Sequence, residues 1–255
     1  MILIPGLMAD GAVWDDMVAR YRSQYEMHVL TLPGFAGVPP LAAGTPLLAT
    51  VRDDIARYVR DRKLLKPVIV GHSLGGFLAF SFAASNPELA GHIVAVDGVP
   101  FLSALMDTTA TTASALGMAE RMRTIYGGLS ATQLEMQSRP ALMGMMRDTS
   151  RVTVAAKWAG RSDPRTVGNA VFEMSTTDLR EMVAAIRTPV LLIGAASFAT
   201  DSATRARTYA AYERQVRAIP NHTVILATDA RHYIMYDDPA FLYATMDQFL
   251  KRGHQ

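Results

Sequence analysis

Lys66-Pro67-Val68-Ile69-Val70-Gly71-His72-Ser73-Leu74-Gly75-Gly76-Phe77 is the stretch that decides how this chain reads. Residues 67–70 form a continuous apolar run with β-branched side chains, the mark of a strand covered on both faces. Residues 74–84 carry the apolar spacing of a buried helix. Between them stands Gly71-x-Ser73-x-Gly75. A serine at a sharp, strained strand-to-helix turn needs small residues two before and two after it, because strand and helix backbones meet there. Its hydroxyl then projects above the C-terminal edge of the sheet. The amide of Leu74, at the helix N-terminus, points at whatever anion forms beside it. Gly-x-Ser-x-Gly alone is a weak signal that ordinary loops also produce. The apolar strand before it, and Gly76 with an apolar helix after it, make Ser73 a candidate nucleophile.

Outward from this turn, short apolar runs alternate with helical patterns, as in βαβ units built on a mostly parallel sheet. Strands are expected over 1–4, 28–32, 67–70, 93–96, 190–193 and 223–226. Helices are expected over 14–20, 48–63, 74–84, 203–218 and 239–251, the last opened by Asp238-Pro239. Between Phe101 and Arg187 the strand signals vanish and the spacing is helical throughout. Nine of the fifteen methionines fall there: Met106, Met118, Met122, Met136, Met143, Met145, Met146, Met174 and Met182. The expectation is an α/β fold with a six-stranded, mostly parallel sheet flanked by helices. Residues 1–100 and 188–255 form its core, and 101–187 a helical cap.

Length and composition fit one large α/β domain with an insertion: 255 residues, 50% apolar and 19% charged. A net charge of +2 with no basic cluster argues against a nucleic-acid partner. No cysteine is present, which removes a disulfide scaffold, a thiol nucleophile and a Cys-ligated zinc. The longest stretch without Asp, Glu, Lys or Arg, residues 67–87, is too rich in Gly, Ser and Asn for a membrane span. Met1-Ile2-Leu3-Ile4-Pro5-Gly6 holds no basic n-region and no cleavage site, so the default expectation is cytoplasmic, or exported if a leader precedes it. No Gly-x-Gly-x-x-Gly follows a strand and no His-Glu-x-x-His occurs, so neither cofactor nor metal is expected.

With the serine turn in place, nearly the whole chain resembles the α/β-hydrolase fold superfamily, in its serine-esterase type with a helical cap. Ile2-Leu3-Ile4-Pro5-Gly6-Leu7, followed by Trp14, resembles the loop that completes an oxyanion hole in that superfamily; the resemblance makes the Leu7 amide the second donor beside Leu74. Leu32-Pro33-Gly34-Phe35 resembles its Pro-Gly segment, although ordinary turn chemistry explains Gly34. The resemblance also places the catalytic base after the last strand and before the terminal helix, where Asp229-Ala230-Arg231-His232-Tyr233 supplies His232. His28, His92, His222 and His254 have weaker claims by position. His72 adjoins Ser73 but, as an x residue of the turn, reads as packing.

The acid has two candidates. Most of the superfamily carries it about three residues after the Gly that ends the fifth strand, but here that stretch is Gly194-Ala195-Ala196-Ser197. The end of the preceding strand, Ala95-Val96-Asp97-Gly98, supplies Asp97. Asp97 with Ser197 in the usual place resembles a subset of small bacterial esterases, and Ser197 becomes a possible auxiliary. Asp201 is the alternative acid, although its place before Ala203 equally suits a helix N-cap. The cap methionines suit plain core or a soft apolar pocket, with Trp158 and Met235 as candidate wall residues.

The resemblance implies hydrolysis of carboxylic esters of small to medium apolar substrates through an acyl-enzyme. Carbon–carbon bond hydrolysis, lactone hydrolysis and perhydrolysis on the same triad remain alternatives, as does a ligand-binding receptor with vestigial hydrolysis. A monomer or homodimer acting on a small-molecule ester is expected. Epoxide hydrolases and haloalkane dehalogenases place Asp where this chain has Ser73. Hydroxynitrile lyases of this type rely on a lysine, which only Lys157 could supply.

Overall fold

In a computed structural model, which describes residues 1–252, all six strands are parallel and lie in the order β2-β1-β3-β4-β5-β6. They are β1 (Ile2–Ile4), β2 (His28–Val29), β3 (Val68–His72), β4 (His92–Val96), β5 (Val190–Ala195) and β6 (His222–Ala227). The helices are α1 (Asp15–Tyr21), α2 (Leu47–Asp61), α3 (Leu74–Ser85), α4 (Ser103–Met106), α5 (Thr112–Gly127), α6 (Ala131–Met145), α7 (Thr149–Gly160), α8 (Pro164–Thr176), α9 (Ser202–Val216), α10 (Ile234–Asp237) and α11 (Pro239–Arg252). Each expected strand and helix is present, with shifted ends. The second strand is shorter than expected, ending at Val29; beyond it the Thr31 hydroxyl accepts from the Gly11 amide at 2.9 Å. His254 lies outside the described residues.

Continuous apolar strands arise because both sheet faces are covered, and the two-residue period divides them between two cores. Ile2, Ile4, Ile69, Ile93, Ala95 and Leu192 share one core with α2 and α3. Leu3, Val70, Val94, Val96, Leu191 and Ile193 share the other with α1 and α11, around Trp14, Met17, Leu242 and Met246. Helix α3 sits so deep that eleven of its residues are buried, which explains why it lacks a polar face.

All the helices from α4 to α8 lie between β4 and β5, where only helical spacing is visible in the sequence. Side chains start four of them: Thr111 and Ser130 form capping boxes at α5 and α6, and Asp148 and Asp163 cap α7 and α8. Helix α5 packs on α8 and α6 on α7. Polar ties join this group to the sheet layer. Glu173 of α8 accepts from the Leu47 and Leu48 amides at the start of α2, at 2.9 and 2.8 Å. The Gly34 carbonyl accepts from the Asp163 amide at 2.7 Å. Gly34 sits at φ 79° with Thr166 against it, so its glycine serves both the turn and this close approach. Among the described residues, no helix is long and apolar enough to cross a membrane.

Candidate active site

The turn after β3 builds the site. Ser73 has φ 54° and ψ −117°, a strained conformation for a residue with a side chain. Sheet and helix hold it there: its amide donates to Val96 O at 3.0 Å and its carbonyl accepts from Phe77 N at 3.1 Å. The flanking glycines are needed for contact. A Cβ on Gly71 would lie 2.0 Å from the Gly75 carbonyl oxygen, and one on Gly75 would lie 2.1 Å from that of Ile4. Leu74 is the first residue of α3, so its amide has no intrahelical acceptor and is free to meet an anion. Leu7 lies across the same opening.

Asp97 follows β4, with its amide donating to Ile193 O of β5 at 2.8 Å and its backbone at φ 49°. Its Oδ2 accepts from His232 Nδ1 at 2.5 Å. Burial would push this carboxyl up, but hydrogen bonds from His232, the Ala195 amide and the Tyr212 hydroxyl outweigh it and hold the carboxyl below its ordinary range. His232 stands in the segment between β6 and α10, which is clamped from several sides. Asp237 accepts from the Arg231 amide at 2.9 Å and from the Arg147 amide at 2.8 Å. The Tyr233 amide donates to Met145 O at 3.0 Å. His72 Nε2 donates to His232 O at 3.1 Å.

Ser73, Asp97 and His232 open on one cavity of ≈ 590 Å³, within the usual range for small-molecule sites. Its walls are mostly apolar, including Leu7, Phe77, Val99, Leu142, Trp158 and Met174. Among the described residues, no arginine, lysine or glutamate lines it. Among the described residues, no hydrogen bond joins Ser73 Oγ to His232. Such contacts are often loose without substrate and tighten when it binds. A serine hydroxyl at a helix N-terminus and an imidazole oriented by a carboxylate, sharing one apolar chamber, are groups that acyl transfer can use.

The Alpha/beta hydrolase family model matches residues 1–245. The chain belongs to the alpha/beta hydrolase family. Among its relatives, a pimeloyl-[acyl-carrier protein] methyl ester esterase of Aeromonas hydrophila is 30% identical over 100 residues. That stretch is 39% of this chain and spans 38% of the relative's length. The corresponding esterase of Vibrio vulnificus is 28% identical over 104 residues, 41% of this chain and 38% of the relative. Similar solved structures include a hydrolase from Pseudomonas aeruginosa, with TM-score 0.76 and 19% identity over 98% of this chain and 88% of that one. An enol-lactonase from Burkholderia xenovorans has TM-score 0.75 and 14% identity over 98% and 90%. At such identities the likeness is one of fold.

Within this hydrolase fold, the remaining expected residues are placed as follows. Asp201 caps α9, accepting from the Thr204 amide at 2.8 Å and the Thr204 hydroxyl at 2.7 Å. Ser197 is half-buried, its amide donating to Ala230 O at 3.2 Å, and its hydroxyl bonds neither Asp97 nor His232. Asp229 is exposed. Met235 is not a wall residue: α10 turns it into the core beside Trp14 and Leu242. Lys157 is exposed and does not line the cavity. Of the nine clustered methionines, Met122, Met145 and Met174 reach the cavity, whereas Met118, Met136, Met143 and Met182 are exposed elsewhere. Among the described residues no group of three or more potential ligands is arranged to hold a metal.

Sequence reasoning misses Tyr212 and the contact made by His72. Tyr212 falls at i+4 from buried Thr208 and i−4 from buried Val216, so its inward direction is readable but its partner is not. His72 lies on the enclosed side of the turn, its ring 4.6 Å from that of His232, centroid to centroid.

Proposed function

We propose that the protein is a serine hydrolase that cleaves carboxylic esters of small to medium apolar substrates through an acyl-enzyme. The supporting observation is Ser73 on its strained turn, sharing one apolar cavity with a His232 imidazole that is hydrogen-bonded to Asp97. Ser73 Oγ attacks the ester carbonyl while His232 Nε2 takes its proton. The Leu7 and Leu74 amides donate to the oxyanion of the tetrahedral intermediate. His232 then delivers the proton to the leaving alcohol, and the acyl group remains on Ser73. A water, deprotonated by the same imidazole, attacks the acyl carbonyl and releases the acid. Asp97 holds the proton on Nδ1, so that Nε2 faces the serine as a base. Relatives named as methyl ester esterases support the ester class. Apolar walls without a cationic side chain favour neutral acyl groups. Burst and steady-state kinetics on a nitrophenyl ester test the reading. Stoichiometric release followed by turnover is expected; a burst that stalls would mark a receptor, and no release at all would refute hydrolysis.

A further inference from the structure

The two oxygens of Asp97 have separate partners. Among the described residues Oδ2 meets only His232, whereas Oδ1 accepts from the Ala195 amide at 2.9 Å and from the Tyr212 hydroxyl at 2.5 Å. Tyr212 arrives from α9, 115 residues further along the chain, and is buried. Its ring lies directly against β5. A Cβ on Gly194 would stand 2.4 Å from Cε2 and 2.6 Å from Cδ2 and Cζ, so a side chain at 194 would displace the ring. The terminal torsion of an aspartate is soft, and a carboxylate held by one partner turns easily. Two donors on Oδ1, one from a strand backbone and one from a buried ring, fix its plane and leave Oδ2 aimed at the imidazole.

We propose that Tyr212 is a positioning residue of the active site, whose hydroxyl fixes the Asp97 carboxylate and shares its charge, with Gly194 as the small residue that admits it. This rests on the reading of Ser73, His232 and Asp97 as a catalytic triad. Burial, with Asp97 beside it, pushes the Tyr212 phenol well above its ordinary range, so it remains a donor throughout the working pH. The other titratable groups facing the pair are His72 on β3, 4.6 Å from His232 between ring centroids, and Tyr233, whose ring is 5.6 Å from His232. Among the described residues no arginine, lysine or glutamate bonds to Asp97 or His232.

Tyr212→Phe keeps the ring against Gly194 and removes only the hydroxyl. A carboxylate with one donor fewer carries more uncompensated charge and holds an imidazolium more firmly. The acid limb of the pH profile of kcat/KM, read on a neutral nitrophenyl ester, is therefore expected to move up by about half a pH unit or more. The value of kcat is expected to fall about tenfold, the effect of losing one hydrogen bond to a charged group, with little change in KM. The proton on His232 Nδ1, seen by NMR as a far-downfield resonance, should move further downfield. Gly194→Ala, which pushes the ring away, should shift limb and resonance in the same direction. A folded Tyr212→Phe with an unmoved limb and an unmoved resonance overturns the proposal. If Tyr212→Phe does not fold, Gly194→Ala decides by the same two readouts. Ser73→Ala separates the two readings. Full activity in that variant would end the triad assignment, while the resonance of Tyr212→Phe still reports whether Tyr212 tunes the Asp97–His232 pair.

Discussion

His72 donates its Nε2–H to the main-chain carbonyl of His232 at 3.1 Å, so the residue beside Ser73 holds the backbone of the imidazole opposite it. The His72 imidazole is enclosed, edge-on to Trp14 with ring centroids 6.5 Å apart and against the Tyr233 ring at 4.7 Å. Burial, and then the neighbouring His232, push its pKa down to about 3, so it is neutral at neutral pH. Protonating it would place a charge beneath the serine turn.

Acid stability follows from that depression. In the unfolded chain His72 titrates near its ordinary value of 6.5, and in the folded protein near 3. Between these values the unfolded state binds more protons, so stability rises with pH across the window and is lost as pH falls through it. This group contributes a slope of at most about 1.4 kcal/mol per pH unit. His72→Asn, which removes the titration, should flatten the dependence in urea unfolding measured between about pH 4 and pH 7. An equally steep variant would assign the acid sensitivity to other groups.

Ser73→Ala should abolish ester hydrolysis, by about 10⁴-fold or more, and covalent labelling by a fluorophosphonate. The fold should survive, because the turn is held by Gly71, Gly75 and main-chain hydrogen bonds rather than by the hydroxyl. Mass spectrometry of the labelled protein checks it. Undiminished labelling of the variant would exclude Ser73 as the nucleophile.

Asp97 and Asp201 should separate sharply. Asp97→Asn replaces the acceptor of the His232 Nδ1 proton with an amide and is expected to lower kcat by up to about 10⁴-fold. Asp201→Asn exchanges one good helix cap for another and should leave the rate within about twofold. Both are assayed on one ester, and a collapse of the Asp201 variant alone would reverse the assignment.

Substrate charge should matter more than chain length. Among the described residues the cavity offers an incoming carboxylate no arginine or lysine, and its Asp97 is held ionised. Burying an uncompensated charge costs several kcal/mol even after relaxation, so neutral short and medium acyl esters should exceed carboxylate-bearing ones by about tenfold or more in kcat/KM. A series of nitrophenyl esters with and without a terminal carboxylate measures this. Preference for the charged series would overturn this reading of the cavity.

Much of the architecture is legible along the chain. Apolar runs mark both-face-covered strands, and the elbow is spelled by Gly71, Ser73 and Gly75, because the signals depend on backbone contacts within a few residues. Element ends are less legible: β5 continues through Gly194 and Ala195, where small residues carry no strand signal. Met235 illustrates the limit on side-chain direction. It stands three residues from His232, yet one short helical turn sends it away from the cavity into the core around Trp14 and Leu242. The methionine cluster shows the same limit, since α5 to α8 present some to the cavity and others to solvent.

By itself the sequence determined the parallel α/β sheet, the helical segment between β4 and β5, and the serine turn, all consequences of local periodicity and steric need. For the acid it favoured Asp97, at the end of a buried strand, and kept Asp201 as the alternative. Only the tertiary structure sets Asp97 against His232 across 135 residues and turns Asp201 back onto its own helix. The same holds for Tyr212, and for His72 beneath the His232 carbonyl. The physical reason is common to all three: a hydrogen bond between distant residues depends on strand order and helix docking, which bring their atoms within about 3 Å, and no spacing along the chain records that distance.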